Sequence, residues 1–141
     1  MSRLEHVYLF RIPYSDTDAM GTYYNSRALE WFERGRTELC RGLGKPYRQW
    51  EQDGVALPIV EAHVEYQGRA QYDDQLRLTT RAAMAGRARM RFDVEVQHAS
   101  SARPVCRGYT IHAITDLAGR PIRPPQWLLD LMECDPAERP A

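Results

Sequence analysis

The chain has 141 residues, a length typical of one domain that can bury a core of its own. Its 19 basic and 19 acidic residues give a formal net charge of zero, which argues against a dedicated nucleic-acid binder because such proteins normally carry a basic excess. No apolar run approaches the ~20 residues that a membrane-spanning helix needs, and the first residues lack the apolar segment of a signal peptide. We therefore expect a cytoplasmic protein without a membrane span.

The predicted elements begin with a strand over residues 7–12, followed by a turn-rich segment over 13–21. A helical period then runs from Asn25 or Ser26, either of which can cap the helix, to about Leu43. Its expected apolar face carries Leu29 and Phe32, and the helix is the one long helix that the sequence predicts. A short helical turn is expected over 46–52.

From Leu57 onward the hydrophobic period changes to two, which predicts strands over 57–66, 75–84, 89–97 and 105–115. Turn signals at 85–86 and 98–104 predict hairpins, and hairpins make a sheet antiparallel. In the last strand the expected apolar face is formed by Val105, Tyr109, Ile111 and Ala113. A short helix over 127–132 closes a single domain over 1–133, and the polar residues 134–141 are expected to form a frayed tail.

The element order predicts an α+β fold in which a five-stranded antiparallel sheet wraps around one long central helix. One helix covers only one face of such a sheet. The other face also carries some of the alternating apolar residues. We therefore expect a homo-oligomer, either a homodimer or a homotetramer.

The residues that could carry chemistry concentrate just before the long helix. Asp16 and Asp18 lie in a turn that leads to Asn25, where unpaired backbone N–H groups can hold an oxyanion. A carboxylate next to an oxyanion site suits acyl transfer. The alternative is that both carboxylates form the turn and cap the helix, and on spacing alone this alternative is ahead.

Other catalytic and binding patterns are missing. The four histidines are scattered without metal-ligand spacing, and the three cysteines form no CxxC pair, so we predict no metal site and buried roles for Cys40 and Cys106. The sequence contains no GxSxG, GxGxxG or Walker motif. Arg87 and Arg89 alternate just after Gly86, which fits either an anion site or a solvated strand face.

The segment SDTDAMGTYYNSRALEWFERGRTE resembles the signature of the hotdog-fold acyl-CoA thioesterases, in particular the 4-hydroxybenzoyl-CoA thioesterase type. The matching pattern is DxDxxG, an Asn at the helix start and an aromatic–Glu–x–x–Arg run, here ending at Arg36. A second segment, VEYQGRAQYDDQL, also resembles this family, and the resemblance extends over roughly residues 7–116. The sequence departs from the family at Arg69, where many relatives have Pro, and at Ala28, where Tyr is usual.

The resemblance implies the hotdog fold and the hydrolysis of an acyl-CoA or aroyl-CoA thioester to a free acid and CoA, with no metal and no cofactor. Asp18 would be the nucleophile or general base, and Gly21 would permit the tight approach to the helix. Backbone N–H groups of Tyr24 and Asn25 would polarise the thioester carbonyl. CoA would lie at a subunit interface, with Arg87 and Arg89 as phosphate contacts.

Two other functions stay open at this stage. The same fold supports hydratases and dehydratases, but these usually bring a His near the helix start, where this chain has Asn25. A non-catalytic module that binds acyl-CoA or an acyl-carrier protein is the other alternative, and the presence of Asp18 argues mildly against it.

Overall fold

A computed structural model describes residues 4–132, so the predicted tail over 134–141 lies outside the described residues. In this range five strands and three α-helices follow one another with a short 3₁₀ turn after the first strand. Their bounds are β1 Glu5–Arg11, the 3₁₀ turn Tyr14–Asp16, α1 Arg27–Gly42, α2 Tyr47–Gln52, β2 Ile59–Tyr66, β3 Gln75–Met84, β4 Arg89–His98, β5 Pro104–Ala113 and α3 Gln126–Leu131.

The five strands form one antiparallel sheet in the spatial order β1-β3-β4-β5-β2. The hairpins predicted between β3 and β4 and between β4 and β5 are confirmed. Strands β2 and β3 do not form a hairpin, because β2 pairs with β5 and β3 pairs with β1. Residues 67–74 therefore carry the chain from the edge strand β2 to β3, the strand next to the opposite edge, and they pass the start of α1 on the way.

The sheet wraps around α1, as the sequence predicts. The alternating apolar residues of β3 and β4 form the inner face of these strands. Leu78 and Phe92 are among them, and both are fully buried. In α1 the buried residues are Ala28, Trp31, Phe32, Gly35, Leu39 and Cys40. Leu29, expected on the buried face, is 42% exposed because the helix is rotated so that Gly35 lies against the sheet.

The apolar face predicted for β5 differs from the face that is buried in the structure. Its inward side chains are Cys106, Gly108, Thr110 and His112, which pair across the sheet with buried residues of β4. Tyr109, Ile111 and Ala113 are half-buried on the outer face. A Cβ on Gly108 would overlap the His63 carbonyl of the paired strand β2 and would meet the ring of Phe32 at 3.0 Å, so β2 and α1 together require a glycine there.

Candidate active site

Asp18 lies in a short hairpin loop that leads towards α1. Thr17 and Tyr23 form an antiparallel bridge, and the Asp18 amide donates to the Thr22 carbonyl at 3.0 Å. The Gly21 amide donates to the Asp18 carbonyl at 3.1 Å, which closes a tight turn. Gly21 has φ of +78°, a conformation that glycine adopts without steric cost. Gly21 serves this turn through its backbone conformation, because a Cβ at this position would meet no atom within 4 Å; the tight approach to the helix that the resemblance implies stays a prediction.

The segment between β2 and β3 holds this loop in place. The Ala70 carbonyl accepts hydrogen bonds from the Tyr23 amide at 2.9 Å and from the Thr22 hydroxyl at 3.1 Å. The Arg69 guanidinium donates to the Met20 carbonyl at 2.7 Å. Arg69 was noted in the sequence only as a departure from the family, and its contact with the Asp18 loop had no local signal because the two segments are 49 residues apart.

One oxygen of the half-buried Asp18 carboxylate is held and the other is free. Oδ1 accepts a hydrogen bond from the Met20 amide at 2.8 Å, whereas Oδ2 has no partner among residues 4–132. Asp18 lines an open cleft of about 360 Å³ together with Tyr24, Asn25 and Tyr66. The structure thus brings Asp18, Tyr24 and Asn25, three of the residues predicted for the site, to one cleft.

The expected pair of oxyanion donors needs a correction. The Tyr24 amide donates to the Asp16 carbonyl at 2.7 Å, so it is not free to bind a substrate. The Asn25 amide has no acceptor within the described part of the chain. Ser26 occupies the N-cap position of α1 without a side-chain capping bond. Of the two predicted amides, only that of Asn25 can polarise a carbonyl in this conformation.

The contacts of Asp16 give this residue a structural role. Its carboxylate is buried, accepts a hydrogen bond from Trp31 Nε1 at 2.9 Å and lies 3.7 Å from the Arg27 guanidinium. Its carbonyl also holds the Tyr24 amide. Asp16 therefore fixes the loop to the first turns of α1, and its carboxylate is not among the groups that line the cleft.

Tyr66 is a site residue whose contact the sequence did not predict. Its hydroxyl donates to the Asn25 carbonyl at 2.8 Å and so links the end of β2 to the start of α1. Partial burial raises the pKa of Tyr66 above its ordinary value of 10.0, which keeps the hydroxyl protonated as a donor. The hydrogen bond fixes the orientation of the peptide that follows Asn25.

Arg87 and Arg89 do not lie near Asp18 of the same chain. Both are exposed at the β3–β4 hairpin, beyond Met84, whereas the Asp18 loop is anchored to Ala70, near the opposite end of β3. A strand of ten residues spans ~30 Å, so one chain cannot bring these groups together at one carbonyl. Arg87 and Arg89 therefore lie outside the Asp18 cleft of their own chain.

The two cysteines of the described chain do not offer a thiolate nucleophile. Burial raises the pKa of the Cys40 and Cys106 thiols to about 12, so both stay protonated, as their predicted buried roles require. No group of His, Cys, Asp and Glu within residues 4–132 could hold a metal ion. Over the same residues, no helix is long and apolar enough to cross a membrane.

Comparison with known proteins agrees with this geometry. The family described as the thioesterase-like superfamily matches residues 12–132. The chain is 31% identical over 125 residues to a 1,4-dihydroxy-2-naphthoyl-CoA hydrolase of Synechococcus elongatus, covering 86% of this chain and 90% of the relative. It is 36% identical over 63 residues to YneP of Bacillus subtilis, named as a putative acyl-CoA thioesterase, but that match spans only 46% of the relative.

The fold has close counterparts among solved structures. The crystal structure of a 1,4-dihydroxy-2-naphthoyl-CoA thioesterase from Synechocystis superposes with a TM-score of 0.84 at 22% identity, covering 94% of this chain and 98% of that chain. With the family match over most of its length, the chain belongs to the thioesterase-like superfamily of hotdog-fold thioester hydrolases.

Proposed function

We propose that this protein hydrolyses an acyl-CoA or aroyl-CoA thioester to a free carboxylic acid and CoA, with Asp18 as nucleophile or general base. The observation that carries the proposal is one cleft lined by both Asp18, whose Oδ2 is unpaired among the described residues, and Asn25, whose amide has no acceptor there. Thioester hydrolysis needs an oxygen nucleophile and a donor for the developing oxyanion. Both groups meet in this cleft.

Either role of Asp18 gives a balanced reaction. As a general base, the carboxylate takes a proton from water while the water oxygen attacks the thioester carbon. As a nucleophile, Oδ2 attacks that carbon itself and forms an anhydride, which water then cleaves. In both routes the C–S bond breaks, CoA leaves as the thiol after taking up a proton, and the amide at Asn25 stabilises the negative oxygen.

The Met20 amide donates a hydrogen bond to Oδ1 of Asp18 at 2.8 Å. This bond fixes the carboxylate, and Oδ2 has no hydrogen-bond partner among the described residues. The reaction needs no metal or redox cofactor in this scheme. A cytoplasmic location stays a prediction of the sequence.

CoA recognition is proposed to involve a second copy of the chain. Arg87 and Arg89 are exposed, and they lie ~30 Å along the sheet from the Asp18 loop. The outer edge of β2 is unpaired among the described residues, and apolar side chains are exposed along it and along α1: Tyr24, Leu29, Ile59, Val60 and Tyr66. We name this set the α1–β2 surface. Its burial against a second copy would give a homodimer, and pairs of dimers a homotetramer.

The test is a thiol-release assay of the full chain over short, long and aromatic acyl-CoAs, with 1,4-dihydroxy-2-naphthoyl-CoA among them because a relative is named for it. We expect saturable release of CoA from at least one substrate class. Matched acyl-pantetheine thioesters separate recognition of the acyl group from recognition of the nucleotide. Tight binding of acyl-CoA without release of thiol would instead indicate the non-catalytic module.

A further inference from the structure

A second cavity, of about 220 Å³, lies between α1 and the sheet, away from Asp18. Its walls combine apolar side chains such as Phe92 with the polar side chains of Arg36, Thr37, Tyr47 and His112. Glu33 lies at its rim and is exposed. None of the residues that line this cavity lines the Asp18 cleft.

A directed chain of hydrogen bonds fixes the polar wall of this cavity. His112 Nδ1 lies 2.8 Å from the Leu57 carbonyl, which can only accept, so Nδ1 carries the proton. Burial lowers the pKa of His112 to about 4, so the ring is neutral and Nε2 accepts from the Thr110 hydroxyl at 2.9 Å. Thr110 Oγ1 in turn accepts from Arg36 at 3.4 Å. His112 and Thr110 are thereby satisfied.

Arg36 is left with most of its donors unused. A guanidinium has five N–H donors. The bond to Thr110 is the only hydrogen bond that Arg36 makes to residues 4–132, and no carboxylate in that range lies within ion-pair distance of it. Desolvation of the guanidinium lowers its pKa. The Glu33 carboxylate at the rim raises this pKa from beyond ion-pair distance, so the partly buried cation keeps donors free for an anion in the cavity.

The geometry relates this cavity to the Asp18 cleft. The two ends of β2 lie at the two sites, because the Tyr66 hydroxyl at its last residue donates to the Asn25 carbonyl beside the Asp18 cleft. Ile59, at the other end of β2, lines the Arg36 cavity together with Glu33. From Asn25 to Arg36 the helix rises ~16 Å, a distance that an extended chain of about ten to twelve carbons covers.

We propose that the Arg36 cavity binds a carboxylate at the far end of the acyl group, so that preferred substrates are medium-chain acyl-CoA thioesters with a terminal carboxylate. Arg36 forms the ion pair, and the hydroxyls of Thr37 and Tyr47 are within the same wall. The proposal rests on the proposed thioesterase function and names its substrate class.

The test compares two acyl-CoAs of equal carbon number, decanoyl-CoA and the monothioester of decanedioic acid. For the wild-type protein we expect kcat/KM at least tenfold higher for the monothioester, the scale of a hydrogen bond to a charged group. Arg36→Met should lower the ratio of kcat/KM for the monothioester to kcat/KM for decanoyl-CoA to about one. The matched control is Arg34→Gln, two residues away on α1 and exposed, which should keep the preference.

Glu33→Gln covers the case in which Arg36→Met does not fold. Removing the carboxylate at the rim should raise the preference for the terminal carboxylate, because Glu33 repels it and competes for Arg36. Equal kcat/KM for the two substrates in both the wild type and Glu33→Gln would overturn the proposal.

A binding measurement separates this proposal from the proposed function. Calorimetry with Asp18→Asn should show decanedioic acid binding at least tenfold more tightly than decanoic acid, and Arg36→Met in that background should remove the difference. If no acyl-CoA is hydrolysed but this Arg36-dependent difference is present, the thioesterase function is wrong and the carboxylate site stands. If acyl-CoAs are hydrolysed but the two acids bind equally, the carboxylate site is wrong and the thioesterase function stands.

Discussion

Asp16 and Asp18 are two residues apart, yet their surroundings give them different roles. Asp16 is 3% exposed and bonded to Trp31, whereas Asp18 is half-buried and keeps one oxygen unpaired within the described chain. The hydrogen bond from Trp31 gives Asp16 a structural role. The catalytic role of Asp18, which the family resemblance implies, stays a prediction until turnover is measured.

His112 makes stability depend on pH. Its pKa is lowered from 6.5 to about 4 because the ring is buried, so the unfolded chain binds its proton more readily than the folded chain. The stabilising effect of the neutral ring is complete above pH 6.5 and is lost as the pH falls towards 4. We expect the free energy of unfolding to fall by up to about 1.4 kcal/mol per pH unit in this window.

Urea denaturation between pH 7 and pH 4 measures this effect. His112→Asn should reduce the slope, whereas His63→Asn, which alters a histidine that is half exposed on β2, should leave it as in the wild type. A wild-type slope that persists unchanged in His112→Asn would show that other groups cause the acid sensitivity.

At the scale of elements, Gly35 decides how closely α1 packs against β3. A Cβ at this position would overlap Leu78 Cδ2 and Thr80 Oγ1, both on the buried face of the sheet. Gly35→Ala should therefore lower the free energy of unfolding by about 1–3 kcal/mol, although alanine favours a helix more than glycine does.

The matched control for Gly35 is Gly42→Ala, at the last position of the same helix. There a Cβ would meet only the ring of His6, at 3.3 Å. The variant should stay within about 0.5 kcal/mol of the wild type in chemical denaturation. Equal stability of the two alanine variants would contradict the close packing described for α1.

Local patterns in the sequence could predict most of these elements. The bounds of β3, Gln75–Met84, agree with the alternation, because each side chain on one face is buried. In β5 the same alternation predicts the wrong buried face. Gly108, Thr110 and His112 are small or polar residues, yet they are the ones that face inward. Their burial depends on α1 and β4, which lie far away in the sequence.

The same limit applies to the site. Asp18 and Asn25 stand out because a carboxylate next to a helix start is a local feature. Two contacts depend on how the loop folds back, and the spacing of residues does not reveal them. They are the hydrogen bond from the Tyr24 amide to the Asp16 carbonyl and the hydrogen bond from Arg69 to the Met20 carbonyl. Resemblance to a family could not reveal the Arg69 contact either, because Arg69 is a departure from it.

For the whole molecule we expect a dimer formed through the α1–β2 surface. Light scattering at micromolar concentration should give at least twice the mass of one chain. Val60→Lys should produce a monomer, because a charge on an exposed edge strand opposes pairing. Leu117→Lys, at a residue that is more exposed than Val60 but lies outside this surface, should keep the dimer. A wild-type monomer would contradict both the dimer and a CoA site shared between copies.

The arginines of the β3–β4 hairpin test this shared site. Arg87→Ala and Arg89→Ala should each raise KM for an acyl-CoA with little change in kcat, because they remove contacts to phosphates far from the reacting carbonyl. The increase should shrink as the salt concentration rises, since salt screens exposed charges. With an acyl-pantetheine thioester, which lacks the nucleotide, neither variant should differ from the wild type. A solvated strand face would leave KM for acyl-CoA unchanged in both variants.

The most direct test of Asp18 is the steady-state rate of thiol release by Asp18→Asn on the best acyl-CoA substrate, next to Asp16→Asn. Asn keeps the size of the side chain and removes its charge, so turnover should fall by about two orders of magnitude or more while the fold and substrate binding persist. Asp16→Asn should retain most of the turnover per folded molecule. Thiol release by folded Asp18→Asn at close to the wild-type rate would contradict the account and turn attention to Glu33 and Glu65.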